Sequence, residues 1–347
     1  MRQFSVLRIT KHRTRIIDRL CHLTTIAQNR PVSWEDKFSR INLLNPWSNR
    51  DLTPFPAENI VLDKTTRHVV QLLQELRSFA IHRIDRATTK RCNRALENLD
   101  LESAKVAIPG QAARAYEILQ GMEALKDVSN DFISIPHPTA ETYRLVLRNF
   151  AKDPKGNPND AESVVRRMEQ RYTDFTQLDM MPKVAHWNDV LRAWSVNTVD
   201  TFEEEKAYKA ATLLQHLKTK SLVDGYSYSH TLKACLVSCS STTSKRARTL
   251  GLEIGNKVFS DYKVQLDKKL FEADSFPYSL YLQICRYLPQ SKRRHELALS
   301  AYDDGCVRGI INNYVLDSLS KSIPPSVYRK RMGDVWDNSR SHKNTAA

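Results

Sequence analysis

Residues 187–194 read Trp187-Asn188-Asp189-Val190-Leu191-Arg192-Ala193-Trp194, with large apolar side chains at the first, fifth and eighth places. On an α-helix those places lie on one face, so the octet describes a helix that buries a single stripe. The same spacing returns as Tyr143, Leu147, Phe150, as Tyr228, Leu232, Cys235 and as Tyr278, Leu282, Cys285. A weaker copy, Asn312, Leu316, Leu319, lacks the aromatic. Successive copies start 44, 41, 50 and 34 residues apart. A recurrence of this kind marks a chain assembled from repeated supersecondary units.

A second helical segment is expected between each pair of copies. Asn159 and Glu162 have capping-box spacing before a helix over Asp160 to Phe175, and Thr201 and Glu204 repeat it before Glu205 to Lys220. Further second helices fit Thr243 to Tyr262 and Lys292 to Asp303, and Pro154, Gly156 and Pro158 break the chain between the first pair. Upstream, Val69, Val70, Leu72, Leu73, Leu76 and Phe79 follow a helical stripe, as do Ala115, Ile118, Leu119, Met122 and Leu125. Helix, loop, helix therefore recurs about five or six times over residues 61–325. One hairpin cannot bury its apolar face alone, so the expected fold is all-α, an α-solenoid of stacked antiparallel hairpins.

Composition agrees and narrows the partners. Only 9 of 347 residues are Gly, which disfavours Gly-rich phosphate loops and strand-and-turn architectures. No run of apolar residues is long enough to span a bilayer, so no membrane association is expected. The net charge is +14 and the pI about 9.5, which predicts attraction to a polyanion. Arg2, Arg8, Lys11, Arg13 and Arg15 precede the first acid, Asp18, and without them the chain still carries about +9. That acid-poor amphipathic opening has the composition of an organellar transit peptide, so residues 1–25 are expected to direct the chain to a mitochondrion, with a plastid as the alternative. Residues 26–60 read as an irregular segment around Pro46, Pro54 and Pro56, and 326–347 as a polar basic tail frayed from Ser339 onward.

Catalytic signatures are missing from the sequence. It contains no H-E-x-x-H, no G-x-S-x-G and no phosphate-binding G-x-x-x-x-G-K-[ST], and Asp303 with Asp304 has no partner carboxylates. The six cysteines form no C-x-x-C pair, and Cys235 with Cys239 has no second pair to complete a zinc site. A binding protein without metal or cofactor is expected, rather than an enzyme.

The run Pro182-Lys183-Val184-Ala185-His186-Trp187-Asn188 resembles the opening of a pentatricopeptide repeat. Pro138-Thr139-Ala140-Glu141-Thr142-Tyr143-Arg144 and Val223-Asp224-Gly225-Tyr226-Ser227-Tyr228-Ser229 match the same frame. Ala115-Tyr116-Glu117-Ile118-Leu119-Gln120-Gly121-Met122 is similar to the family's second helix, and Ala298 to Val307, with Gly305, to that helix's end and turn. Family repeats are about 35 residues, and most units here are longer, so a strict register of one base per repeat is not implied. A tetratricopeptide-like scaffold for protein segments shares the hairpin but not its Trp, Leu-Gly and Tyr pattern. A structural subunit of an organellar ribonucleoprotein also suits a basic helical array.

The resemblance implies sequence-selective binding of single-stranded RNA, each repeat reading a base with its fifth and last residues. In this frame the pairs are Arg144 with Lys183, Asn188 with Asp224, Ser229 with Asp274, and Ser279 with Arg308. A short amide or hydroxyl beside a carboxylate offers donors and acceptors to a base edge, which favours the second and third pairs. Arg148, Arg192, Lys233 and Arg286 recur on the first helices and are the candidate phosphate contacts.

Overall fold

The computed structural model describes residues 89–103, 110–128, 137–175, 178–199, 202–241 and 244–333, together with His68 and Leu72. The transit-peptide and irregular segments, most of the Val69 to Phe79 stripe and the end of the tail lie outside the described residues. Among the described residues there is no strand. The helices are α1 (Thr89–Ser103), α2 (Gln111–Val128), α3 (Ala140–Phe150), α4 (Pro158–Phe175), α5 (Val184–Val196), α6 (Lys206–Thr219), α7 (Gly225–Cys239), α8 (Lys245–Asp267), α9 (Ser275–Cys285), α10 (Lys292–Val307) and α11 (Asn313–Ser322). The odd-numbered helices contact one another in succession from α1 to α11, and each even-numbered helix lies against the odd helices that precede and follow it.

The four aromatic-led stripes are all in the core. Tyr143, Trp187, Trp194, Tyr228 and Tyr278 are at most 1% exposed, and their partners Leu147, Leu191, Leu232, Leu282, Cys235 and Cys285 are fully buried or nearly so. The fifth stripe is shifted by three residues from the expected frame. Asn312 is the exposed N-cap of α11, and the buried residues at the stripe spacing are Val315, Leu319 and Ser322. A further copy heads the described chain, where Cys92, Leu96 and Leu99 are at most 1% exposed. Its leading Cys carried no aromatic signal.

Caps fix where the odd helices begin. Thr139, Asp224, Asp274 and Asn312 each accept a backbone N–H in the first turn of α3, α7, α9 and α11, a bond worth about 1 kcal/mol. The aromatic stripe starts four residues after the cap in α3, α7 and α9. Two expected capping boxes differ. The helix placed after Asn159 starts at Pro158, Asn159 donates its backbone N–H to Asn157 Oδ1 at 3.0 Å, and Glu162 pairs with Arg166 instead. Thr201 lies outside the described residues, and Glu204 accepts from Ser244 Oγ at 2.9 Å. Gly305 does not end α10. It lies within that helix, where a Cβ would stand 2.7 Å from Ile311, and the left-handed turn falls at Gly309. Residues 325–333, all but the first within the expected tail, are helical, and Val327, Tyr328 and Met332 pack on the core cluster that holds Tyr278, Tyr302 and Leu319.

Tyrosines of the odd helices anchor to acids on the even ones. Tyr143 Oη donates to Glu123 of α2 at 2.5 Å and Tyr228 Oη to Asp261 of α8 at 2.7 Å, while Tyr278 Oη donates to Asp304 of α10. Each acid is also held by a cation: Arg167 on Glu123, Lys218 on Asp261 and Arg308 on Asp304. Trp187 has no hydroxyl, and its ring packs on His216 with centroids 5.1 Å apart.

Candidate nucleic-acid interface

Asn188, the first residue past the Trp187 stripe start, reaches from α5 to the cap of α7. Its Nδ2 donates to both carboxylate oxygens of Asp224 at 3.1 Å, and its Oδ1 accepts from Ser227 Oγ at 2.7 Å. The predicted pair therefore meets across 36 residues of sequence. The same bond recurs upstream, where Asn93, next after Cys92, accepts from Thr142 Oγ1 in the cap of α3 at 2.7 Å. Ser279 of α9 likewise bonds Ser318 of α11 at 2.8 Å. At Asn93, Asn188 and Ser279 this position ties one odd helix to the next, a role that accounts for these small polar residues without any ligand.

The other predicted pairs are not brought together by hydrogen bonds. Ser229 is 2% exposed and donates to Gly225 O within its own helix at 2.9 Å. Asp274 is exposed and caps α9. Arg144 forms a two-pronged pair with Glu141, and Lys183 is the exposed residue before α5. Ser279 is 4% exposed, and Arg308 bridges Asp304 and Asp267, at 3.0 and 2.6 Å. Asn312, four residues after Arg308, holds the cap position that Asp224 and Asp274 hold elsewhere.

The phosphate candidates divide into paired and unpaired cations. Arg148, Arg192 and Lys233 each lie nine residues after the residue preceding α3, α5 and α7. Arg148 is ion-paired with Asp100 at 2.8 Å, an acid 5% exposed that also holds Lys152 at 2.6 Å. Arg192 is exposed, and among the described residues its side chain forms no hydrogen bond or ion pair. Lys233 is half-buried and equally unpaired, and burial together with the Arg192 guanidinium holds its ammonium below the ordinary lysine range. Arg286 is exposed and unpaired at the end of α9.

Two further residues belong to this surface. His230, one turn before Lys233, has a buried Nδ1 without a hydrogen-bond partner. Burial, Arg192 and Lys233 push its pKa down to about 4, so it is neutral at pH 7. Asp189 is largely buried and makes no hydrogen bond or ion pair, and burial raises its pKa to about 6 against the pull of Arg148 and Arg192. Sequence alone did not single these out, although both lie a helical turn from a named cation: Asp189 is three residues before Arg192 and His230 three before Lys233. Among the described residues no group of His, Cys, Asp and Glu could hold a metal, and no helix is long and apolar enough to cross a membrane. Cys92, Cys235, Cys239 and Cys285 are buried and Cys306 is exposed, and none of them is in a disulfide among the described residues.

Comparison of the chain with family models, with curated proteins and with solved structures returned no match.

Proposed function

We propose that this chain is an α-solenoid of the pentatricopeptide kind, and that it binds single-stranded RNA along its odd-numbered helices within a mitochondrion or, as the alternative, a plastid. It acts by holding a transcript, and so affects RNA processing, stability or translation, without catalysing a reaction. The succession of odd-helix contacts supports the solenoid reading. Phosphates cross Arg192 and Lys233, with Arg286 farther along.

One observation carries this reading. Arg192 and Lys233 stand on α5 and α7, which pack against each other, and among the described residues neither forms an ion pair with an acid. Like charges held together on adjacent helices lower the protein's stability unless an anion joins them. The full chain is expected to bind a single-stranded RNA, and the Arg192→Ala/Lys233→Ala double variant to lose roughly tenfold in affinity at physiological salt. Equal binding by the double variant, measured by fluorescence anisotropy, would remove the basis for the proposal.

A further inference from the structure

We propose that an open pocket between the N-termini of α7 and α9 receives an arginine side chain from a partner protein. The pocket encloses about 600 Å³ and is lined by Asp224, Tyr226, Phe271, Glu272, Asp274 and Ile310. Three of these are carboxylates, and none forms an ion pair among the described residues. Asp224 spends its oxygens on Asn188 and Ser227, and Asp274 Oδ1 caps α9 through Phe276 N at 3.1 Å. Among the described residues Asp274 Oδ2 and the Glu272 carboxylate accept no hydrogen bond, the capping bond and the Ser275 hydroxyl both going to Asp274 Oδ1. Two acceptors without donors suit the planar N–H fork of a guanidinium.

The aromatic wall fits the same group. Tyr226 is 67% exposed, and Phe271 stacks on Tyr262 with centroids 5.7 Å apart and planes 20° from parallel. Ring faces beside carboxylates attract a flat cation through their quadrupole, and Ile310 offers apolar surface to its methylene stem.

Charge decides between this occupant and a nucleotide. A phosphate on a base seated here would face three carboxylates, whereas a guanidinium is attracted by all of them. Lys233 lies nine residues beyond Asp224 on α7, about 13 Å along the helix, which exceeds the screening length of about 8 Å at physiological salt. The pocket and the cationic row are therefore separate surfaces, and this inference stands independently of the RNA reading.

The test uses full-length protein with labelled isoleucine methyl groups and the peptide acetyl-Gly-Arg-Gly-Arg-Gly-amide. The peptide is expected to shift the Ile310 methyl resonance saturably, and the Glu272→Gln/Asp274→Asn variant to weaken binding roughly tenfold. Asn caps a helix as well as Asp, so α9 keeps its first turn in the variant. A peptide with citrulline at both positions is expected to leave Ile310 unmoved. The proposal is overturned if the citrulline peptide binds equally, if the variant binds as tightly as the parent, or if the arginine peptide does not shift Ile310. A shift produced by guanosine monophosphate and not by the arginine peptide would assign the pocket to a base instead.

Discussion

His186 sits in the first turn of α5, where its Nδ1 accepts the Lys183 backbone N–H at 2.9 Å. Burial, with Lys183 and Arg144 nearby, lowers its pKa from the ordinary 6.5 to about 4. The folded state thus binds fewer protons than the unfolded one, so this contribution to stability is complete above pH 6.5 and is lost as pH falls towards 4. His230 acts in the same direction, while Asp189, with its raised pKa, opposes them between about 3.8 and 6. His186→Gln keeps an acceptor in the first turn and removes the titration. Its melting temperature is expected to fall less between pH 7 and pH 5 than that of the parent, and equal falls would show that His186 does not contribute. Asn188→Ala unties α5 from the α7 cap and leaves Asp224 with fewer donors, so a loss of about 1–2 kcal/mol is expected in urea unfolding. An unchanged midpoint would mean the tie carries no stability. Both residues could be read as members of a motif in the sequence. Their roles were not legible, because a cap and a base reader call for the same small polar side chains.

Glycine placement separates what an element's sequence reveals from what its packing decides. α7 and α8 approach so closely that a Cβ on Gly251 would lie 2.7 Å from Cys235 O and 2.9 Å from Cys239 Sγ. Gly251→Ala is expected to cost about 1–3 kcal/mol in urea unfolding, because backbone must move to admit the methyl. A neutral result would show that the two helices part without penalty. The even helices end in the reverse situation. Ser221 and Lys269 adopt φ of 55° and 56° after α6 and α8, the conformation that Gly309 adopts after α10. Ser221→Gly and Lys269→Gly are each expected to stabilise by up to about 1 kcal/mol, read as a higher melting temperature. Two of these three turns lack glycine, and the sequence marks the end of α6 at Lys220, one residue past Thr219, but stops α8 at Tyr262, five residues before Asp267. In α10 it pointed to the glycine that packs on Ile311 rather than the one that turns.

At the scale of the whole molecule, the all-helical class and the alternation of stripe helices with second helices were legible because most stripes repeat an aromatic at fixed spacing. The copy led by Cys92 escaped that reading for want of the aromatic, and the last copy was framed at Asn312, three residues before Val315, although both stripes are buried. The cationic row was legible as a list of residues, but not its division into Arg148, neutralised by Asp100, and the unpaired Arg192, Lys233 and Arg286. Partners 48 residues apart in sequence, as Arg148 and Asp100 are, meet only once α1 and α3 have packed. The acids lining the pocket between α7 and α9 were likewise scattered in sequence, and two of them had been assigned to bases. The central claim is that the unpaired row is a track for single-stranded RNA. The most direct test measures the affinity of the full chain for single-stranded RNA and for duplex DNA of equal length across 50–300 mM salt, roughly the range over which phosphate contacts weaken. The account predicts tighter binding to single-stranded RNA, with log K falling linearly with log salt at a slope of about −2. Equal affinity for both polyanions, or binding to neither, would contradict it.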